Sequence, residues 1–186
     1  PCGRERHMRT AACLFGLSVL FATLVTASPS AAQLSKGGDV SLSREALTRD
    51  VKVISSAGAR MLSDACMAWA ERNKLIVAMA VIDWGGNVID SHAMEGAAAN
   101  AIDTALRKAK SALRWRRPTS ETNKLVRSGE NLAPTFMDDF PQPGALPIVL
   151  NGQVIGAMGV SSGDGEKCAQ AAIDAVFKGQ ATTVGR

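Results

Sequence analysis

Three groups of residues carry the chemical promise of this chain. Gly159-Val160-Ser161-Ser162-Gly163 fits G-x-S-x-G, the pattern that exposes a serine nucleophile on a sharp strand-to-helix turn. A hydrolase of that type needs a histidine base later in the chain, and both histidines, His7 and His92, lie upstream, so the nucleophile reading fails. The glycines still allow a tight turn whose free N–H groups can hold an anion, which makes Gly159 and Ser161 candidate binding residues. Arg107, Lys108, Lys110, Arg114, Arg116 and Arg117 place six cations within eleven residues. They read either as a solvated helix face whose last charges suit the helix dipole, or as a seat for an anionic ligand, with Arg107 and Arg114 forming charge-assisted hydrogen bonds to its carboxylates. His92 and Met94 form the third group: imidazole and thioether both coordinate iron, and both equally suit a strand end and a packed core.

Other chemistry lacks support. No H-E-x-x-H, C-x-x-C, Walker loop or G-x-G-x-x-G occurs, which removes zinc protease, dithiol redox, nucleotide hydrolysis and Rossmann cofactor readings. Asp83, Asp90, Glu95 and Asp103 read as turn, cap and solvent contacts. Asp138-Asp139 is too small a set for calcium.

These residues need elements to position them. Ile148–Leu150 and Val154–Val160 flank Asn151-Gly152, the pair that most readily turns a two-residue hairpin. Leu75–Asp90 repeats the plan around Gly85-Gly86-Asn87. In the arm after Asn151-Gly152, strand alternation sends Ile155 and Ala157 to one face and Val154, Met158 and Val160 to the other. Two hairpins covered on both faces imply one antiparallel sheet. A helix with Ser43 as N-cap should carry Leu47, Val51, Ile54, Leu62 and Trp69 on one stripe and end near Asn73. A second helix shows a small-residue stripe of Ala98, Ala101, Ile102, Ala105, Ala109, Ala112 and Leu113 that lets it approach its partner closely. Pro118 stops it, a short helix capped by Thr119 or Ser120 reaches Arg127, and Gly129 closes that one. Residues 130–147 carry four prolines and no period, the mark of an irregular binding loop. Asp164 caps a last helix with Ala169, Ala172, Ile173, Val176 and Phe177 buried and Gly179 as its stop.

Composition bounds the function. After Met8, the plausible initiator, come Arg9, an apolar run from Ala11 to Val25 and the small-residue tail TASPSAAQ, the three regions of a secretory signal peptide. Cleavage is expected after Ala32, which would remove residues 1–32 and leave the rest periplasmic or secreted. The apolar run is shorter than the ~20 residues of a spanning helix, so no stable membrane span is expected. Residues 33–42 read as a mobile lead-in, 43–180 as one domain and 181–186 as a tail. The exported part carries 18 basic and 16 acidic residues and no tyrosine, which argues against nucleic-acid binding. Cys66 and Cys168 remain in it; an exported pair can form a disulfide, yet both sit on apolar helical faces where free cysteine packs as a small hydrophobe. The sequence leaves both states open.

The order of VIDWGGNVI, M-E-G-A before a K-A-containing helix, R-P-T, a proline-glycine loop and LNGQVIGAMGVSSG resembles the GlcG/HbpS-like (DUF336) family, which includes secreted haem-binding proteins and the C-terminal domains of PduO-type corrinoid adenosyltransferases. The resemblance spans about Ser43 to Lys178. It implies an α/β (α+β) profilin-like sandwich, a central antiparallel sheet with the N- and C-terminal helices packed on it, and a homo-oligomer, up to an octamer. It also implies haem as cofactor, with Thr119 of R-P-T and His92 as candidate iron ligands. DSHAMEGA and PGALP depart from the common family pattern near the expected pocket. The resulting expectation is an exported binding protein for haem or a similar anionic tetrapyrrole, non-catalytic or weakly haem-degrading. The alternative is an accessory protein or enzyme of a periplasmic oxidative pathway, acting on a small organic acid held by the Gly159–Gly163 turn.

Overall fold

The computed structural model describes residues 50–184; the leader-like segment, the lead-in and Ser43 lie outside them. Both hairpins are present. Strands β1 (Ala78–Asp83) and β2 (Val88–Ala93) pair antiparallel, as do β3 (Ala145–Leu150) and β4 (Gln153–Ser161). Strand β1 also pairs with β4, which joins the ribbons into one sheet of order β2-β1-β4-β3-β5. Asn151 and Gly152 take φ of 53° and 77°, the two positive angles that a hairpin turn of this kind requires. Strand β5 is Ala181–Thr182, paired with Leu150 and Val149, so the fold continues past residue 180, where the sequence suggested a tail. Two residues are too few to show alternation. Because β5 reaches only the last residues of β3, the outer edge at Pro147 is open, a place where a sheet tolerates the missing N–H of proline.

The two faces of the sheet are built differently. Helices α1 (Ser56–Arg72) and α5 (Gly165–Phe177) cover one, burying Leu62, Cys66, Cys168, Ala172 and Ile173 against Met79, Val81, Leu146, Ile148, Met158 and Val160. Helix α2 (Ala101–Trp115) covers the other, laying Ala109 and Ala112 on Ile82, Ala145 and Ala157. This is the α+β sandwich expected from the motif order, with the first and last helices sharing one face. A Cβ at Gly159 would run into the Ala105 carbonyl and stand 3.0 Å from the Ala109 Cβ. The alanine stripe of α2 therefore sits almost on the strand backbone.

Three local readings are corrected. Helix α1 begins at Ser56, with the Ser55 hydroxyl accepting from the Gly58 N–H at 3.1 Å. Val51 and Ile54 lie in non-helical chain before it, where the Ile54 N–H bonds to the Ile155 carbonyl at 3.1 Å. Ile155 joins the α1/α5 core rather than the face of Ala157, because Ile148 pairs with Gly156 and Val149 with Val154, leaving Ile155 as the extra residue of a bulge. The proline-rich stretch holds one turn of helix, α4 (Ala133–Phe136), and ends where β3 starts.

The cysteine question is resolved in favour of the bridge: Cys66 on α1 and Cys168 on α5 form a disulfide, their Cα atoms 5.1 Å apart.

Candidate functional site

A cluster of polar side chains lies at the strand-to-helix turn after β4. Helix α3 (Thr119–Ser128) follows Pro118, which occupies the N-cap position and offers no side-chain acceptor. Glu166, from the first turn of α5, serves that end instead. Its Oε1 accepts from the Ser120 N–H at 2.7 Å, the Thr119 hydroxyl at 3.1 Å and the Gly144 N–H at 3.4 Å. Thr119 is fully buried, and its Oγ1 also accepts from the Ala145 N–H at 3.0 Å. Lys108 lies on the buried side of α2, 7% exposed, and donates to the Val160 carbonyl at 3.3 Å. Burial holds its ammonium below the ordinary lysine range, with the attraction of Glu166 working the other way. One side chain each from α2, α3 and α5 thus closes on the ends of β3 and β4.

That arrangement answers for several candidates. Thr119 is neither an N-cap nor free to meet a ligand, since its hydroxyl is spent inside the cluster. Gly159 lies between β1 and β3 in the sheet, with α2 over it, so it makes packing possible and does not line an opening. Outside the cluster is a small opening of about 190 Å³ lined by Pro143, Gly144, Gly163, Asp164, Glu166 and Lys167. Two carboxylates face it, and Lys167 is paired with Asp164 at 2.8 Å, which suits an organic acid poorly. Ser161 stands opposite Ala78 on the α2 face, whereas His92 stands opposite Met79 on the α1 face. No serine–histidine pair exists across that sheet.

The cation row behaves differently. Arg107 is engaged by the loop after α4, 3.6 Å from Asp138 and 5.0 Å from the Phe140 ring centre. Arg114 donates to the Met137 carbonyl at 3.2 Å, and the Trp115 indole N–H is bonded to Asp139. These contacts fasten the loop after α4 to the outer side of α2. Beside them is an open cleft of about 410 Å³ lined by Gly85, Gly86, Lys110, Leu113 and Arg114. Lys110 and Arg114 are exposed and one helical turn apart; Gly86, at φ 83°, supplies the opposite wall without a side chain. Val88, paired with Ile82 on the α2 face, and Trp84 expose apolar surface at the same turn.

His92 is half-buried on β2, an edge strand, and its imidazole makes no hydrogen bond among the described residues. Its imidazole is available to a metal. Met94 is half-buried and packs against the α1/α5 core, its N–H bonded to the Val77 carbonyl at 3.0 Å. The structure therefore brings Thr119 to Glu166 and Lys108, and Arg114 to Lys110, and it keeps His92 apart from both groups. Among the described residues no group of three or more His, Cys, Asp or Glu could hold a metal ion, and no helix is long and apolar enough to cross a membrane.

Lys108 read as one cation of the outward row and is instead buried, and Glu166 escaped sequence reasoning. Lys108 follows Ala105 by three residues and precedes Ala112 by four, so the alanine stripe itself marks it as inward-facing. Glu166 carried no such signal, since its partners lie 46, 47 and 22 residues away.

A family model described as "Haem degrading protein HbpS-like" matches residues 54–176. The "Uncharacterized 15.0 kDa protein in dhaT-dhaS intergenic region" of Citrobacter freundii is 32% identical over 124 residues, covering 64% of this chain and 87% of the relative. The crystal structure of Klebsiella pneumoniae protein ORFY superposes with a TM-score of 0.67 at 31% identity, covering 74% of this chain and 98% of that one. The crystal structure of HbpS gives 0.65 at 27% identity, covering 73% and 98%.

Proposed function

The chain belongs to the HbpS-like family, and from that premise we propose an exported protein that binds haem or a similar anionic tetrapyrrole, non-catalytic or weakly haem-degrading. The observation that carries the reading is the cleft at the first hairpin: two unburied cations, an apolar floor at Leu113 and exposed Trp84 and Val88 beside it. A tetrapyrrole offers carboxylates to the first and a flat apolar ring to the second. Bound haem would supply iron; the chain's own residues hold its periphery, Arg114 and Lys110 through charge-assisted hydrogen bonds to the propionates.

The residues present fit that ligand in part. Propionate anchors are available at the cleft. The iron ligand is not where the anchors are, because Thr119 is committed inside and His92 faces away across the sheet.

Export is supported by the three-part leader pattern in residues 1–32 and by the Cys66–Cys168 bridge, a bond that persists in oxidising compartments. Self-assembly is supported by the apolar residues left at the surface, Phe136 at 84% exposed above all. The organic-acid alternative gains nothing from the acidic opening at Asp164 and Glu166.

Hemin titrated into the protein should give a saturable shift of the Soret band. A spectrum identical to free hemin at equimolar protein overturns the proposal.

A further inference from the structure

Resting on the tetrapyrrole reading, we infer that the Lys110–Arg114 cleft recognises the ring's carboxylates and not its metal, so that the ligand class extends to iron-free tetrapyrrole dicarboxylates, cyclic or ring-opened.

Helix α2 carries Lys110 and Arg114 outward on adjacent turns, with Leu113 between them forming the floor. Arg114 is not a loose surface side chain, since its bond to the Met137 carbonyl fixes the guanidinium at the cleft edge while leaving other N–H groups to donate. Gly85 and Gly86 form the far wall, and only the Leu113 side chain comes within 4 Å of the place a Gly86 Cβ would take. A carboxylate can therefore lie between the two cations with backbone on its other side.

None of the five lining residues carries an imidazole, thiolate, thioether or phenolate, the usual ligands of haem iron. The candidate ligands lie elsewhere in the protomer. His92 is on the α1 face, four residues along β2 from Val88, roughly 13 Å at the rise of a strand, with the sheet between it and α2. Reaching Thr119 would require its hydroxyl to abandon Glu166 and Ala145 inside a fully buried position. A guest in the cleft is thus read by charge at its rim and by apolar contact with its ring, two properties that iron does not supply.

The experiment compares protoporphyrin IX, followed by its fluorescence, with hemin, followed by absorbance, on the full chain and three variants. The expected result is similar affinity, within about threefold, for both probes. Lys110→Ala/Arg114→Ala should weaken both by at least about tenfold. His92→Ala and Arg116→Ala, the latter an exposed cation at the helix end, should change neither by more than about twofold. Hemin binding without protoporphyrin binding, or hemin binding lost in His92→Ala and kept in the double variant, overturns this inference and leaves haem binding standing. Failure of both probes on the unaltered chain overturns both.

Discussion

The two faces of the sheet solve the same packing problem in opposite ways. Toward α1 and α5 the strands present Met79, Val81, Leu146, Ile148, Met158 and Val160, large side chains that fill a thick core, and a disulfide clamps the two helices. Toward α2 they present mostly small residues, Ala80, Ala145, Ala157 and Gly159, with Ile82 the large exception, and the helix comes down nearly onto the backbone at Gly159. Large apolar side chains bring more transfer free energy; small ones bring proximity, and the thin face spends it on a buried lysine and an outward row of cations. Stability is concentrated on one side, and the cleft proposed for recognition lies on the other.

The contrast can be broken most forcefully at the clamp. Cys66→Ala, or reduction of the bridge, should lower unfolding free energy by about 4 kcal/mol, given a closed loop on the order of 100 residues, readable as a fall in the urea midpoint with little change in porphyrin affinity. Equal loss of both would mean that the thick face also shapes the cleft. Gly159→Ala attacks the thin face and should cost about 3 kcal/mol by overpacking. The same denaturant series would show a near-neutral effect if α2 can lift away at no cost.

Glu166→Ala removes the acceptor shared by three donors and should cost about 2 kcal/mol through the unsatisfied groups left behind; Glu166→Gln, which keeps an acceptor oxygen, should recover part of it. The smallest effect sharpens the picture of Lys108. Its folded pKa lies below the usual lysine value of 10.5, so between the two values the unfolded chain binds more protons, and stability rises as pH climbs through that window. Lys108→Met should flatten that alkaline rise. A wild-type profile already flat from neutral pH to the lysine range would show that the ammonium is not held out of water.

How legible these faces were in the sequence depends on how local the cause is. The Asn151-Gly152 turn, Gly129 as a helix stop, Ala101, Ala105, Ala109 and Ala112 of the α2 stripe and Ala169, Ala172 and Ile173 of the α5 stripe are decided within a few residues and appear where the pattern put them. By contrast, Ala98 falls exposed before α2, Ile102 is exposed on it, and Val176 and Phe177 are half-buried. The Ile155 side is not local: alternation fails there because β3 and β4 fall out of step by one residue. Nor is the role of Thr119, whose partners Ala145 and Glu166 belong to another strand and another helix. The candidate site was legible as residue types and not as a place. Arg114 was singled out with Lys110 in its cation row, but only the packed hairpin shows that Gly85 and Gly86 face them, and only the strand register shows that His92 looks the other way.

The Cys66–Cys168 bond ties two points 102 residues apart, and both loops beside α4 fall between them. A protease that nicks the exposed Phe136 segment would therefore cut the backbone without releasing either half. The product keeps the mass of the intact protein plus one water until a reductant is added, and in an oxidising compartment a clipped copy stays one molecule.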